Sequence, residues 1–178
     1  MPEGRAPSKR ELLAALRASR DEVLTTLRAL APERLDEGRY ENGWNGRQIL
    51  AHLASIEWTY PRLIDIARGA QAAAAGLAGA PADADLPTRS MRGGNDAYND
   101  RQVAKRADVS PADLLVEFEQ NRAATIAAVE AAAEDLFARH IRSAGGVTGP
   151  LALVLHQVAV VHVLGHARDI RPSPGQAI

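Results

Sequence analysis

Over most of the chain the apolar residues recur every three or four positions, which is the spacing of amphipathic α-helices. The first periodic segment opens on Ser8 and Glu11, which have the spacing of a capping box, and Pro32 follows its last apolar residue. This pattern predicts a helix over residues 8–31.

A second periodic segment covers residues 45–69 and carries Ile49, Leu53 and Ile56 on one side. Pro61 lies inside it and cannot donate a hydrogen bond to the carbonyl four residues earlier, so we expect a kink there. Gly69 is a typical residue for the end of a helix.

The periodicity is lost after residue 69, where Ala, Gly and Pro dominate up to residue 94. We expect a long connection over residues 70–109 that contains one short helix. Connections of this length are usually functional or mobile, and a bundle with one crossover requires one. We also expect the residues that select a substrate to lie on its first part, residues 69–94.

Two more helices are predicted, over residues 110–133 and 150–170. Ser110, Pro111 and Asp113 form a strong start signal for the first, and Pro150 opens the second. Neither a repeat nor the alternation typical of strands is evident. The sequence therefore predicts an all-α fold, a four-helix bundle in a single domain over residues 1–178, with one long crossover between helices 2 and 3.

Composition narrows the range of functions. The 178 residues include 21 basic and 22 acidic residues without a basic cluster, so no nucleic-acid partner is expected. Because cysteine is absent, thiolate ligands are excluded and any thiol chemistry must use an external thiol. Neither a signal-peptide core nor an apolar run of about 18–20 residues is found, so we expect a cytoplasmic protein without a membrane partner.

Three of the five histidines fall on the predicted core-facing sides of helices. His162 and His166 are four positions apart and, at about 100° per residue, point to the same side. His52 is aligned with Ile49 and Ile56. Buried imidazoles need partners, which are either backbone carbonyls and carboxylates or a shared cation. Three nitrogen ligands on two helices would leave coordination positions open, as in catalytic zinc sites.

The other polar candidates are expected to be less central. His140 should be exposed near a turn, and His156, about 120° away from His162, should lie at the surface or in packing. Asp169 either orients the imidazole three residues before it or pairs with a neighbouring arginine. Glu57 should face solvent or a neighbouring helix. The two tryptophans, Trp44 and Trp58, should anchor packing or wall a pocket.

Two segments, Asn42–Ala54 and Val161–Ile170, resemble the second-helix and last-helix signatures of the DinB-like superfamily. This group includes thiol-dependent S-transferases and the N-terminal domain of mycothiol-dependent maleylpyruvate isomerase. The resemblance implies a four-helix bundle in which His52, His162 and His166 hold one divalent metal ion, zinc or nickel. It also implies a small-molecule substrate and pairing as a homodimer.

The activity implied by the resemblance is transfer of a low-molecular-weight thiol, such as mycothiol, to a small electrophilic molecule, or another detoxification of that molecule. Hydrolysis by a metal-activated water is a close variant. The segment Gly94–Asp100 also resembles a self-protection branch whose members need not keep the histidines. A non-enzymatic small-molecule binding or self-resistance protein is therefore one alternative. A stress-response bundle whose histidines satisfy one another is another.

Overall fold

The computed structural model describes residues 5–40, 43–74, 86, 88, 91 and 93–170 of the chain, with the side chains of residues 32 and 70–74 left out. The helices are α1 (Lys9–Arg28), α2 (Gly46–Glu57), α3 (Pro61–Ala74), α4 (Gly94–Ala104), α5 (Pro111–Ala131), α6 (Leu151–His156) and α7 (His162–Asp169). Two short strands, β1 (His140–Arg142) and β2 (Thr148–Pro150), pair antiparallel. A π-helix, Gln157–Val161, joins α6 to α7 and makes one last helix over residues 151–169.

The fold is all-α in its main elements and forms a four-helix bundle, as the sequence predicts. α1, the α2–α3 pair, α5 and the last helix are its four members. α2 packs chiefly on α5, while α1 packs on both α5 and the last helix. The predicted capping box at the start of α1 is present, with the Ser8 hydroxyl accepting from the Glu11 N–H. A second capping box, which was not predicted, begins α2, where the Asn45 side chain accepts from the Gln48 N–H.

The core falls into two clusters of buried side chains. One joins the first half of α1, α3, the end of α5 and α6, and includes Leu12, Leu16 and Leu155. The other joins the second half of α1, α2, α4, the first half of α5 and α7, and includes Leu50 and Phe118. The aliphatic stripes of the predicted helices supply most members of both clusters.

Three features differ from the prediction. The second helix does not merely kink at Pro61; it ends at Glu57, and α3 starts anew at Pro61 and passes Gly69 to reach Ala74. The β-hairpin was not predicted, although its register, Ile141 opposite Gly149, places Ile141 fully in the core. The π-helix was also not predicted. Much of the predicted 70–109 connection lies outside the described residues, but the short helix expected in it is α4.

Among the described helices, the last one, Leu151–Asp169, is long and apolar enough to cross a membrane by length and composition. Half of the most apolar 18-residue stretch of this helix is buried inside the bundle. The central helix of a soluble bundle can have the same length and composition. This helix packs against α1 and α3 of the bundle.

Candidate metal centre

His52 is placed by the buried face of α2. The capped first turn fixes the start of this helix at Gly46, and every residue from Ile49 to Glu57 is buried. The His52 side chain therefore sits in the interior with only 3 % of its surface exposed. The Trp44 ring, just before the helix, packs against the imidazole at a centroid distance of 5.1 Å.

His162 and His166 occupy successive turns of α7 on the side that faces α2. Their Nε2 atoms are 3.0 Å apart. The His52 ring stands nearly perpendicular to both, with centroid distances of 5.5 Å to His162 and 5.2 Å to His166. One ring nitrogen from each residue can be chosen so that all three lie within 4.8 Å of one another. The structure therefore brings together the three histidines that the sequence singled out.

The site favours neutral imidazoles. Burial lowers the pKa of His52 to about 3, and the neighbouring histidines add to this effect. Burial and His166 together lower the pKa of His162 to about 4, although a hydrogen bond with the Val158 carbonyl opposes the change. Neutral imidazole is the form that binds a metal ion. No proton therefore competes at these two positions near pH 7.

A divalent metal fits the residues present. Three imidazoles are a donor set that zinc and other late transition metals prefer. Nδ1 of His52 is buried and has no hydrogen-bond partner among the described residues. Nδ1 of His166 lies 3.9 Å from a carboxylate oxygen of Asp169. This separation is too long for a direct hydrogen bond, so the orienting role expected of Asp169 stays a prediction.

The three imidazoles line a cavity of about 450 Å³ that opens between α2, α3, α4, the hairpin loop and the π-helix. Apolar groups such as Ile56, Leu63 and Val158 form part of its wall. Polar side chains of α4 and of the π-helix also reach it, among them Asn95, Asn99 and Gln157. The volume suits a small molecule.

Sequence reasoning missed the Tyr98 hydroxyl. Tyr98 lies on α4 and lines the cavity, and its hydroxyl is buried with no hydrogen-bond partner among the described residues. Buried polar groups are seldom left in this state. The only signal in the sequence was the position of Tyr98 on the helix that ends the long connection.

The remaining candidates are placed as follows. His140 is exposed on β1 and His156 is half-buried on α6, and neither lines the cavity. Trp44 is buried and lines the cavity, while Trp58 is half-buried and stacks on the Arg62 guanidinium. Of the two orientations expected for Glu57, the structure shows the second, in which it faces a neighbouring helix. It is fully buried and pairs with Arg122 of α5, a contact that the sequence did not reveal.

Comparisons with known proteins yield structural likenesses but no sequence match. No family model matches the chain, and no curated protein sequence matches it. The structure is similar to mycothiol-dependent maleylpyruvate isomerase, with a TM-score of 0.70 and 18 % identity over 92 % of this chain and 61 % of the isomerase. The chain thus spans about three fifths of the length of that protein.

A second likeness extends over nearly all of both chains. YfiT from Bacillus subtilis, described as a probable metal-dependent hydrolase with an unusual four-helix bundle topology, gives a TM-score of 0.66. Its identity is 15 %, over 96 % of this chain and 89 % of YfiT. An uncharacterised protein from Escherichia coli UTI89 is similar at a TM-score of 0.55 and 13 % identity, over 91 % of each chain. At such identities the likeness establishes the fold alone, and the chain therefore shares the four-helix-bundle fold of these proteins.

Proposed function

We propose that His52, His162 and His166 bind one divalent metal ion, zinc or nickel, and that the protein is a metal-dependent enzyme acting on a small molecule in the adjoining cavity. The observation that carries this proposal is the convergence of three ring nitrogens within 4.8 Å at the wall of a 450 Å³ cavity, two from buried histidines and one from the half-buried His162. Three protein ligands leave coordination positions of the metal open, and a substrate in the cavity could occupy them.

The reaction we propose is transfer of a low-molecular-weight thiol, such as mycothiol, to a small electrophile. When bound, the metal lowers the pKa of a thiol or a water molecule and supplies a nucleophile near neutral pH. A sulfur–carbon bond forms as the carbon–leaving-group bond breaks; the leaving group takes the electron pair of that bond, and the thiol proton passes to solvent water. The chain has no cysteine, so the thiol must come from solution.

The chain's own residues hold and shield the reactants. Trp44 packs on His52 and limits rotation of that imidazole. Ile56 and Leu63 provide apolar surface against which a small organic molecule can bind. The Tyr98 hydroxyl is the group that we expect to hydrogen-bond the substrate, because it is buried and has no partner among the described residues. A homodimer in the cytoplasm is part of this proposal.

Hydrolysis is the second candidate. It is favoured by the likeness to YfiT, which extends over 89 % of that probable hydrolase, whereas the likeness to the isomerase stops at 61 % of its length. The same three histidines and cavity would serve it, with water in place of the thiol.

Two probes distinguish the candidates. Purified, metal-loaded protein is assayed with chlorodinitrobenzene in the presence of mycothiol, bacillithiol, glutathione or no thiol, and separately with nitrophenyl acetate. Release of chloride that requires both a thiol and the metal supports the transferase. Metal-dependent ester cleavage at a rate indifferent to thiol supports the hydrolase. The His162→Ala/His166→Ala variant should lose either activity while His140→Ala keeps it, and equal rates in both variants would contradict a histidine-based centre.

A further inference from the structure

We propose that Glu57, Arg122 and Tyr60 form a positioning network that holds the helix carrying His52 and the helix carrying His162 and His166 in the relative placement that metal binding requires. The inference rests on the proposed metal site and concerns side chains that do not themselves contribute a ligand atom to the three-histidine cluster.

The first part of the network is a buried ion pair. Glu57 is the last residue of α2, five positions after His52, and Arg122 lies in the middle of α5. Both side chains are completely buried. Nη2 of Arg122 donates a 2.8 Å hydrogen bond to one carboxylate oxygen of Glu57. Nε lies 2.8 Å from the other oxygen, an ion-pair contact without hydrogen-bond geometry, so the two charges meet at two points.

Arg122 extends this contact to two further helices. Its Nη2 donates a 2.7 Å hydrogen bond to the carbonyl of Ala159, inside the π-helix that leads into α7. Its Nη1 donates to the Ser19 hydroxyl at 2.8 Å and to the Leu16 carbonyl at 3.3 Å, both on α1. One guanidinium therefore joins α1, the end of α2 and the π-helix.

Tyr60 makes the second connection. It lies between α2 and α3, and its hydroxyl donates a 2.6 Å hydrogen bond to the Val158 carbonyl. The imidazole of His162 is hydrogen-bonded to the same carbonyl. The Tyr60 hydroxyl and the His162 ring thus share one acceptor, so moving that carbonyl would move the ring.

The π-helix explains why the hydrogen-bond register of the last helix, which sets the direction of His162 and His166, needs support. The backbone N–H of His162 donates to the carbonyl of Gln157, five residues earlier, instead of to the usual carbonyl four residues earlier. Reversion to α-helical bonding would shift the register by one residue, and such a shift rotates a helical side chain by about 100°. Arg122 and Tyr60 bind the Ala159 and Val158 carbonyls of the π-helix and so oppose that rotation.

Stability alone does not account for the ion pair. Replacing a buried pair by apolar side chains of similar volume is often neutral or stabilising, because two charges lose their hydration on burial. What the pair provides is a defined geometry between helices. The pair fixes α2 against α5, and the hydrogen bond from Arg122 to the Ala159 carbonyl extends that geometry to the helix that carries His162 and His166.

The test is a cobalt(II) titration, read from visible absorption, of wild type and of a Glu57→Leu/Arg122→Met variant. Thermal unfolding of the metal-free proteins is measured in parallel. We expect the variant to unfold at or above the wild-type temperature, to bind cobalt about 10–100-fold more weakly, and to show a changed spectrum. The Arg106→Met/Glu117→Leu variant removes another two-point ion pair, between the turn after α4 and α5, and should bind cobalt as wild type does.

A folded Glu57→Leu/Arg122→Met protein with wild-type cobalt affinity and spectrum would overturn the inference. If that protein does not fold, Tyr60→Phe decides, because it removes one hydroxyl. A weaker cobalt affinity of Tyr60→Phe with an altered visible spectrum supports the network, and a cobalt titration identical to that of wild type refutes it. Wild type that binds no cobalt would instead refute the proposed metal site, and the inference with it.

Discussion

Mild acid should destabilise the metal-free protein through two of its buried histidines. The pKa of His52 is lowered to about 3 and that of His162 to about 4, against 6.5 for an ordinary histidine. The unfolded chain therefore binds protons that the folded chain cannot accept. Stability from this source is present well above pH 6.5 and is lost as the pH falls from 6.5 to about 4 for His162 and to about 3 for His52. Below these folded pKa values it changes little.

The size of this loss of stability is set by protonation of the two histidines in the unfolded chain. At pH 5.5, one unit below the ordinary pKa, protonation of the unfolded chain favours unfolding by about 1.3 kcal/mol per histidine relative to pH 7.5. At that pH both imidazoles remain neutral in the folded protein. Any folded-state pKa well below 5.5 would therefore give the same difference in the free energy of unfolding. Two histidines give about 2.5 kcal/mol, a large fraction of the stability of an ordinary domain.

Urea denaturation of the chelator-treated protein at pH 7.5 and 5.5, followed by circular dichroism, measures this difference. In the His52→Gln/His162→Gln variant the difference should shrink by about 2.5 kcal/mol. His140→Gln, which changes an exposed histidine on β1, controls for the substitution itself. If the double variant and wild type lose the same free energy of unfolding between the two pH values, the assignment of buried, neutral imidazoles is wrong.

Three further outcomes are expected. Tyr98→Phe should leave the free energy of unfolding unchanged or slightly higher, because the lost hydroxyl has no partner among the described residues, yet it should raise KM in whichever probe assay shows activity. A drop in stability without a change in KM would contradict the role given to Tyr98. Ser110→Ala should cost about 1 kcal/mol in urea denaturation, because the hydroxyl accepts from the Asp113 N–H at the start of α5, whereas Val116→Ala on an exposed site should cost little. Metal at about one hundred times its Kd should raise the free energy of unfolding of wild type by about 2.7 kcal/mol, and no such rise should occur in His162→Ala/His166→Ala.

The parts of the fold that local sequence determines were predictable. The capping residues Ser8 and Glu11 mark a helix start whatever the rest of the chain does, and the 3.6-residue period of aliphatic positions marks the buried faces. His162 and His166 share a side by spacing alone. Adding His52 required both its place on an apolar stripe and the resemblance to a family.

The parts that depend on distant contacts were not predictable. Glu57 and Arg122 are 65 positions apart, and nothing near either residue indicates that both are buried. The π-helix has an ordinary helical sequence, and its carbonyls are held by Tyr60 and Arg122, which lie far away in the chain. The hairpin strands have three residues each, too short for their alternation to be distinguished from chance. Non-local pairing of this kind leaves no periodic signal.

The metal content of the purified protein tests the central claim most directly. After expression in zinc- and nickel-supplemented medium, elemental analysis should find about one equivalent of divalent metal per wild-type chain and well under that in His162→Ala/His166→Ala. A variant in which the other two histidines are replaced, His140→Ala/His156→Ala, should retain the wild-type content. Wild type with far less than one equivalent, or equal metal content in both double variants, would contradict a metal centre at His52, His162 and His166.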